Sequence, residues 1–260
     1  MMWLEVFINI ALKETAVYNP GFTLSMIMIP ANLRILALDT STARGSVSLL
    51  EGRDLAAELR LHSLETHSAR LLRSIDFLLG SVGWELAGIG LVAAAIGPGS
   101  FTGIRIGVST ALGLAQVLSL PFAGISGLDA MASQMGLPDG RIGVVMDAQR
   151  SQVYYGEYRR SLHSLRRCGR PILCSPEELR KRLDPESLYL AGDGALRYKR
   201  ELETSDAGWP RLVEADLFLS ASVARLALTR SRWWRRSDYL QSEPLYIRPP
   251  DAKRAGKRVA

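Results

Sequence analysis

Histidine and cysteine are nearly missing from this sequence, with three of the first and two of the second in 260 residues. The two cysteines, Cys168 and Cys174, cannot build a disulfide framework and lack the spacing of a metal knuckle, so a reducing cytoplasm is the expected compartment. Three histidines, His62, His67 and His163, leave little for imidazole chemistry. His62 and His67 stand five apart, across an expected strand end and helix start, and so do not converge on a metal. Long hydrophobic runs are missing as well. The apolar stretch 3–12 is short and has neither a basic flank nor a small-residue cleavage site, which excludes a membrane span and a signal peptide. Low-complexity tracts and repeats of solenoid length do not occur. What remains is 47% hydrophobic and 7% aromatic, enough for one large domain or two lobes.

The formal net charge of +6 sits at one end. Residues 230–260 hold nine basic side chains against three acidic ones, and the rest of the chain balances at zero. A basic tail is either solvated or rests on RNA phosphates, so tRNA contact is expected at most indirectly or through this tail. Residues 1–33 precede the first convincing strand, and Met26 and Met28 offer alternative starts to Met1. This segment is expected to lie outside the fold.

Strand-like runs at 34–38, 46–50 and 55–61 are joined by Asp39-Thr40-Ser41-Thr42 and Glu51-Gly52-Arg53-Asp54 turns. A helix capped by Thr66 or Ser68 follows, with Leu71, Leu72, Ile75, Leu78, Leu79 and Val82 at helical spacing. A strand at 91–96, a helix at 103–118, a strand at 121–125 and a helix at 128–135 complete the order βββαβαβα. A weaker second round starts with paired strands at 142–146 and 153–158 around Asp147-Ala148-Gln149-Arg150, and a third strand before Cys174. Ser175-Pro176-Glu177-Glu178 opens a helix, a strand at 188–191 runs into Gly192-Asp193-Gly194, and 221–228 reads as helix. An internally duplicated α/β fold is expected, with a first lobe over 34–135, a second over 136–248 and a basic tail over 249–260.

The densest signal is the run Gly97-Pro98-Gly99-Ser100-Phe101-Thr102-Gly103-Ile104-Arg105-Ile106-Gly107. A glycine-rich turn opening a helix aims free N–H groups at an anion, although the Lys-Ser/Thr of a P-loop is missing. Gly103, Gly107, Ala111 and Ala115 share one helix face. Glycine costs roughly 1 kcal/mol against alanine in a helix, so something packs close to that face. Internal packing, a docking face for a second protein and a phosphate cradle are the three readings. Ser100 is expected to cap the helix, because Gly-Pro-Gly is not a nucleophile elbow.

Ile35-Leu36-Ala37-Leu38-Asp39-Thr40-Ser41-Thr42, the Gly97–Gly107 run, Val145-Met146-Asp147-Ala148-Gln149-Arg150 and Pro244-Leu245-Tyr246-Ile247-Arg248, in that order, resemble the TsaB (YeaZ) family. The likeness covers roughly 34–248. One departure is Leu71-Leu72-Arg73, where many members carry Leu-Leu-Pro. The resemblance implies an actin-like (ASKHA) two-lobed α/β fold with a degenerate second lobe. It also implies a part in making threonylcarbamoyladenosine beside the anticodon of tRNAs that read codons beginning with A. The implied role is a subunit without a catalytic centre that binds and activates the TsaD-type transferase as a heterodimer. A TsaE-type ATPase is the implied further partner, and a homodimer forms when the chain is alone.

TsaD-type proteins follow a similar glycine run with His-x-x-x-His, which binds the catalytic metal; here those positions hold Gly127 and Met131. Neither is a useful ligand for a hard or borderline metal, so no metal site is expected. Actin-like ATPases carry Asp-x-Gly-Thr in the first turn, where this chain has Thr40 and Ser41 instead of the open glycine. The expectation is a vestigial nucleotide cleft at Asp39, Thr40, Asp147, Gly192 and Gly194, with ADP or ATP held weakly or only at a shared interface. The expected partner interface is Leu71, Leu72, Ile75, Gly103, Arg105, Gly107 and Ala111, two helices that meet the partner's pair in a four-helix bundle. The alternative, from another class, is an autonomous actin-like ATPase or a TsaD-like metalloenzyme.

Overall fold

The computed structural model describes residues 22–23, 32–62, 68–136, 139–162, 164–184, 188–203 and 211–229. The rest of the leader, the Thr66 cap, His67, His163, the 244–248 motif and the basic tail lie outside the described residues. The first element, β1 (Phe22–Thr23), pairs antiparallel with a strand more than 140 residues on. This corrects the expectation that all of 1–33 stands apart from the fold.

One sheet holds β2 (Arg34–Asp39), β3 (Arg44–Glu51), β4 (Asp54–His62), β5 (Leu91–Ala95) and β6 (Phe122–Ile125). Their order is β4-β3-β2-β5-β6, with β2–β3 and β3–β4 antiparallel and β2–β5 and β5–β6 parallel. The other sheet holds β7 (Gly140–Asp147), β8 (Val153–Ser161), β9 (Ser164–Arg167), β10 (Ile172–Cys174), β11 (Leu188–Ala191) and β12 (Arg211–Val213). It runs β1-β9-β8-β7-β11-β12, with β10 beside β8. The antiparallel β7–β8–β9 and parallel β7–β11–β12 pairings repeat the first sheet's plan strand for strand. The third strand of the repeat is split, because β9 pairs with the end of β8 and β10 with its start. In both sheets the first strand ends in an aspartate, Asp39 and Asp147.

Each first strand is covered on both faces, which is why it reads as an unbroken apolar run. Ile35 and Ala37 face one core while Leu36 and Leu38 face another. The outer face of the first sheet is covered by α1 (Ser68–Ser81) and α2 (Phe101–Val117), the latter capped by Ser100, whose hydroxyl accepts the Gly103 N–H. Between the sheets lie α3 (Gly127–Gln134) and, from the far end of the chain, α7 (Ser220–Thr229). The second sheet's outer face is covered by the shorter α4 (Pro176–Arg182), α5 (Asp193–Arg197) and α6 (Lys199–Leu202). A capping box of Ser175 and Glu178 starts α4.

Helix α3 follows the first sheet in sequence yet packs on β7 and β8, and α7 follows the second sheet yet packs on β2, β3 and β5. The two helices also touch each other, so the lobes share one core that includes Ile35, Leu91, Leu128, Ile142 and Val223. A buried charge ties α3 to the second sheet. Asp129, 3% exposed, accepts hydrogen bonds from Tyr158 Oη at 2.8 Å and from Arg167 Nε at 3.1 Å.

Candidate functional site

The turn after β2 and the loop after β5 meet where an actin-like fold would admit phosphate. Backbone groups of the chain itself fill that meeting. The Ser100 N–H donates to the Ser41 carbonyl at 2.7 Å, and the Gly127 N–H donates to the Gly97 carbonyl at 2.8 Å. A Cβ at Gly99 would lie 2.2 Å from the Ser41 carbonyl oxygen, so only glycine lets the loop settle there. Asp39 is fully buried, and its Oδ1 accepts from the Ser41 N–H at 2.9 Å and Oγ at 2.7 Å. The Ser41, Ser100 and Gly127 N–H groups, donors that a phosphate cradle could use, are thereby bonded within the chain.

Helix α2 lies on the same turn. Thr40 Oγ1 donates to the Gly103 carbonyl at 2.6 Å, and a Cβ at Gly103 would stand 2.0 Å from the Thr40 carbonyl oxygen. Gly103, Gly107 and Ala111 are buried against the chain's own first sheet. Of the three readings of the small-residue face, internal packing is the one the structure shows. The placement of Gly103, Gly107 and Ala111 on a partner surface is corrected accordingly, because they have no surface to offer.

In the second lobe the equivalent turn is also closed. Asp147 Oδ2 accepts from Arg197 Nη1 at 2.6 Å and from Gln149 Nε2 at 3.1 Å, while Oδ1 accepts from Tyr198 Oη at 3.2 Å. Gly192 has φ +113°, and its Cβ would meet the Val145 carbonyl oxygen at 2.2 Å. A Cβ at Gly194 would meet the backbone of Met146 and Asp147 inside 3 Å. These glycines bring α5 against β7. Asp193 Oδ1 accepts from the Asp147 N–H at 3.1 Å and the Gly194 N–H at 2.9 Å. Burial pushes the Asp193 carboxyl up from its ordinary range, against the pull of those donors.

Between the turn after β2 and the start of α5 a cavity of about 70 Å³ remains, lined by Thr42, Arg44, His62, Met131, Asp193 and Leu217 among others. Pockets for ligands of nucleotide size run to roughly 300–1,000 Å³, so this cavity is too small to enclose a nucleotide. Gly127 and Met131 lie one turn apart on α3, and a Cβ at Gly127 would touch Leu219, the Gly97 carbonyl and Met146. That apolar setting does not fit a divalent metal. Among the described residues no three His, Cys, Asp or Glu side chains come together to hold one.

The outward faces of α1 and α2 are different in kind. Leu71 and Ile75 point into the core, whereas Leu72 is 59% exposed and Phe77 66% exposed. On α2, Val117 is 84% exposed, and Arg105 lies in the open with its guanidinium 3.8 Å over the Phe101 ring. Of the seven expected interface residues, Leu72 and Arg105 are exposed and the other five are buried. Sequence spacing did not single out Phe77 and Val117. Phe77 breaks the i, i+3, i+4 rhythm that Leu71, Ile75, Leu78 and Leu79 keep on α1, and Val117 breaks the one that Ile104, Val108, Ala111 and Ala115 keep on α2, and that break is the signal that marks them. No helix among the described residues is long and apolar enough to cross a membrane.

Two sheets of one strand order, each opening with a strand that ends in aspartate and sharing a core of exchanged helices, define an actin-like two-lobed α/β protein. Residues 62–220 match the family model described as TsaD, tRNA N6-adenosine threonylcarbamoyltransferase. The tRNA threonylcarbamoyladenosine biosynthesis protein TsaB of Haemophilus influenzae is 30% identical over 230 residues, which is 84% of this chain and 94% of that one. TsaB of Escherichia coli is 39% identical over 130 residues, 49% of this chain and 56% of that one. The solved structure of YeaZ from Pseudomonas aeruginosa superposes with a TM-score of 0.68 at 28% identity, covering 82% of this chain and 99% of YeaZ. The chain belongs to the TsaB (YeaZ) family of threonylcarbamoyladenosine biosynthesis proteins.

Proposed function

We propose that this chain is a non-catalytic subunit of the machinery that forms threonylcarbamoyladenosine on tRNA, and that it binds a TsaD-type transferase and holds it in an active shape. The observation that carries this reading is apolar exposure on two neighbouring helices over one sheet face, with Leu72 and Phe77 on α1 and Val117 on α2. Apolar side chains left exposed on the outward sides of two helices suit a helix-to-helix interface. The transferase covers them in the heterodimer, and a second copy covers them when the transferase is absent. A TsaE-type ATPase reads the joint surface. Against an autonomous ATPase or metalloenzyme stand the cavity of about 70 Å³ and the Gly127–Met131 pair in the apolar junction.

Reconstitution tests the reading. The transferase, the ATPase, the enzyme that makes threonylcarbamoyl-adenylate and unmodified tRNA are assayed with and without this chain. Modification that appears only on addition is the expected result. Equal modification without the chain would overturn it.

A further inference from the structure

Two arginine doublets, Arg159-Arg160 and Arg166-Arg167, lie on the neighbouring strands β8 and β9. Side chains alternate across a strand, so each doublet sends one arginine to each face. The inward pair is occupied. Arg167 binds Asp129, and Arg160 donates to the Ala132 carbonyl at 3.1 Å. The outward pair, Arg159 and Arg166, stand directly opposite each other in the antiparallel register, and both are exposed.

The same register carries the row one strand further, since Arg141 on β7 is the partner of Arg159. Three arginines thus cross β7, β8 and β9 in line on one face, over about 10 Å at ordinary strand spacing. Arg141 is neutralised by Glu157 at 2.9 Å and Asp184 at 2.7 Å. Among the described residues no acid pairs with Arg159 or Arg166, and Arg170 is exposed just past β9. The Cys168 thiol on the same face is pushed up, first by burial and next by Glu157, while Arg159 and Arg141 oppose the shift. That mutual influence places these groups beside one another.

Like charges directly opposite on a sheet face repel. An anion laid across such a row relieves that repulsion, and guanidinium forks match phosphate oxygens in pairs. We infer that the Arg159–Arg166 row on the outer face of the second lobe is a binding surface for the phosphate backbone of tRNA. Phosphate is favoured over an acidic protein because the two unpaired cations of the row, Arg159 and Arg166, are both arginines with planar forks and the chain belongs to a tRNA-modification family. This inference rests on the reading of the chain as a subunit of that machinery. It places RNA on the second lobe and leaves α1 and α2 of the first lobe to the transferase.

The test measures binding of an unmodified tRNA transcript to the full chain across a salt series. Wild type is compared with Arg159→Ala/Arg166→Ala and with Arg53→Ala, an exposed arginine of the first lobe. Removing one arginine from a phosphate lowers the slope of log affinity against log salt by about 1, so the slope of the double variant is expected to fall by about 2. Arg53→Ala is expected to leave the slope unchanged, and the thermal midpoint of the double variant is expected to hold or rise as the repulsion is relieved. An unchanged slope in the double variant, or an equal fall in Arg53→Ala, overturns the inference. Co-elution of the wild-type chain and the double variant with the transferase is measured alongside. Failure of the wild-type chain to co-elute would instead count against its role as a transferase-binding subunit.

Discussion

A Cβ at Gly107 would lie 2.3 Å from Thr40 Oγ1. That distance makes helix α2 and the turn after β2 one packed unit and fixes what the glycine-rich run is for. Gly107→Ala is expected to destabilise the chain by about 1–3 kcal/mol through overpacking, even though alanine is the better helix former. In a Thr40→Ala background the same change is expected to cost much less. A double-mutant cycle by urea unfolding checks the coupling, and additive effects would show that the strain falls elsewhere.

Asp129 sits under the second sheet with Tyr158 and Arg167 as its partners. Its loss leaves the Arg167 guanidinium largely buried without its counter-charge. Asp129→Ala is expected to lower unfolding stability by about 3–5 kcal/mol. Denaturant midpoints measure this, and a change under about 1 kcal/mol would contradict it.

Asp193 gives a pH dependence with a defined sign. Its folded-state pKa is raised, so the folded chain binds the proton more tightly than the unfolded chain does. Its contribution to stability therefore declines as pH rises from the unfolded value of about 3.9 through the folded one, and is level above. Asp193→Asn keeps an acceptor for the Asp147 and Gly194 N–H groups but removes the titration. The variant is expected to gain on the wild type with rising pH across that window in thermal melts. A gain that shrinks with rising pH would refute the assignment.

Nucleotide binding by the chain alone is expected to be weaker than about 1 mM for ADP or ATP, or about 4 kcal/mol. The basis is the cavity of about 70 Å³ and the N–H groups spent on Ser41 and Ser100. Calorimetric titration tests this, and a micromolar dissociation constant would contradict it.

The element order of the first lobe was legible because 35–38 and 91–95 are unbroken apolar runs and turn residues separate the elements. The Ser100 cap and the Ser175 capping box were legible for the same local reason. What sequence spacing could not decide was direction. Gly103, Gly107 and Ala111 share a face in any helix, but only the three-dimensional neighbour, Thr40, tells packing from docking. Leu71 and Leu72 look alike in sequence, yet one is 5% exposed and the other 59%. The short strands β9 and β12 and the pairing of β1 depend on long-range partners and left no local trace. The exchange of α3 and α7 between sheets was hidden for the same reason.

The most direct measurement is reconstituted tRNA modification with Leu72→Glu/Phe77→Glu in place of the wild-type chain. Both side chains are solvent-exposed, so the variant is expected to fold with a stability within about 0.5 kcal/mol of wild type. It is predicted to lose co-elution with the transferase and to support no modification above the level seen without the chain. Full modification by this folded variant would contradict the account, because the exposed faces of α1 and α2 would then not be where the chain acts.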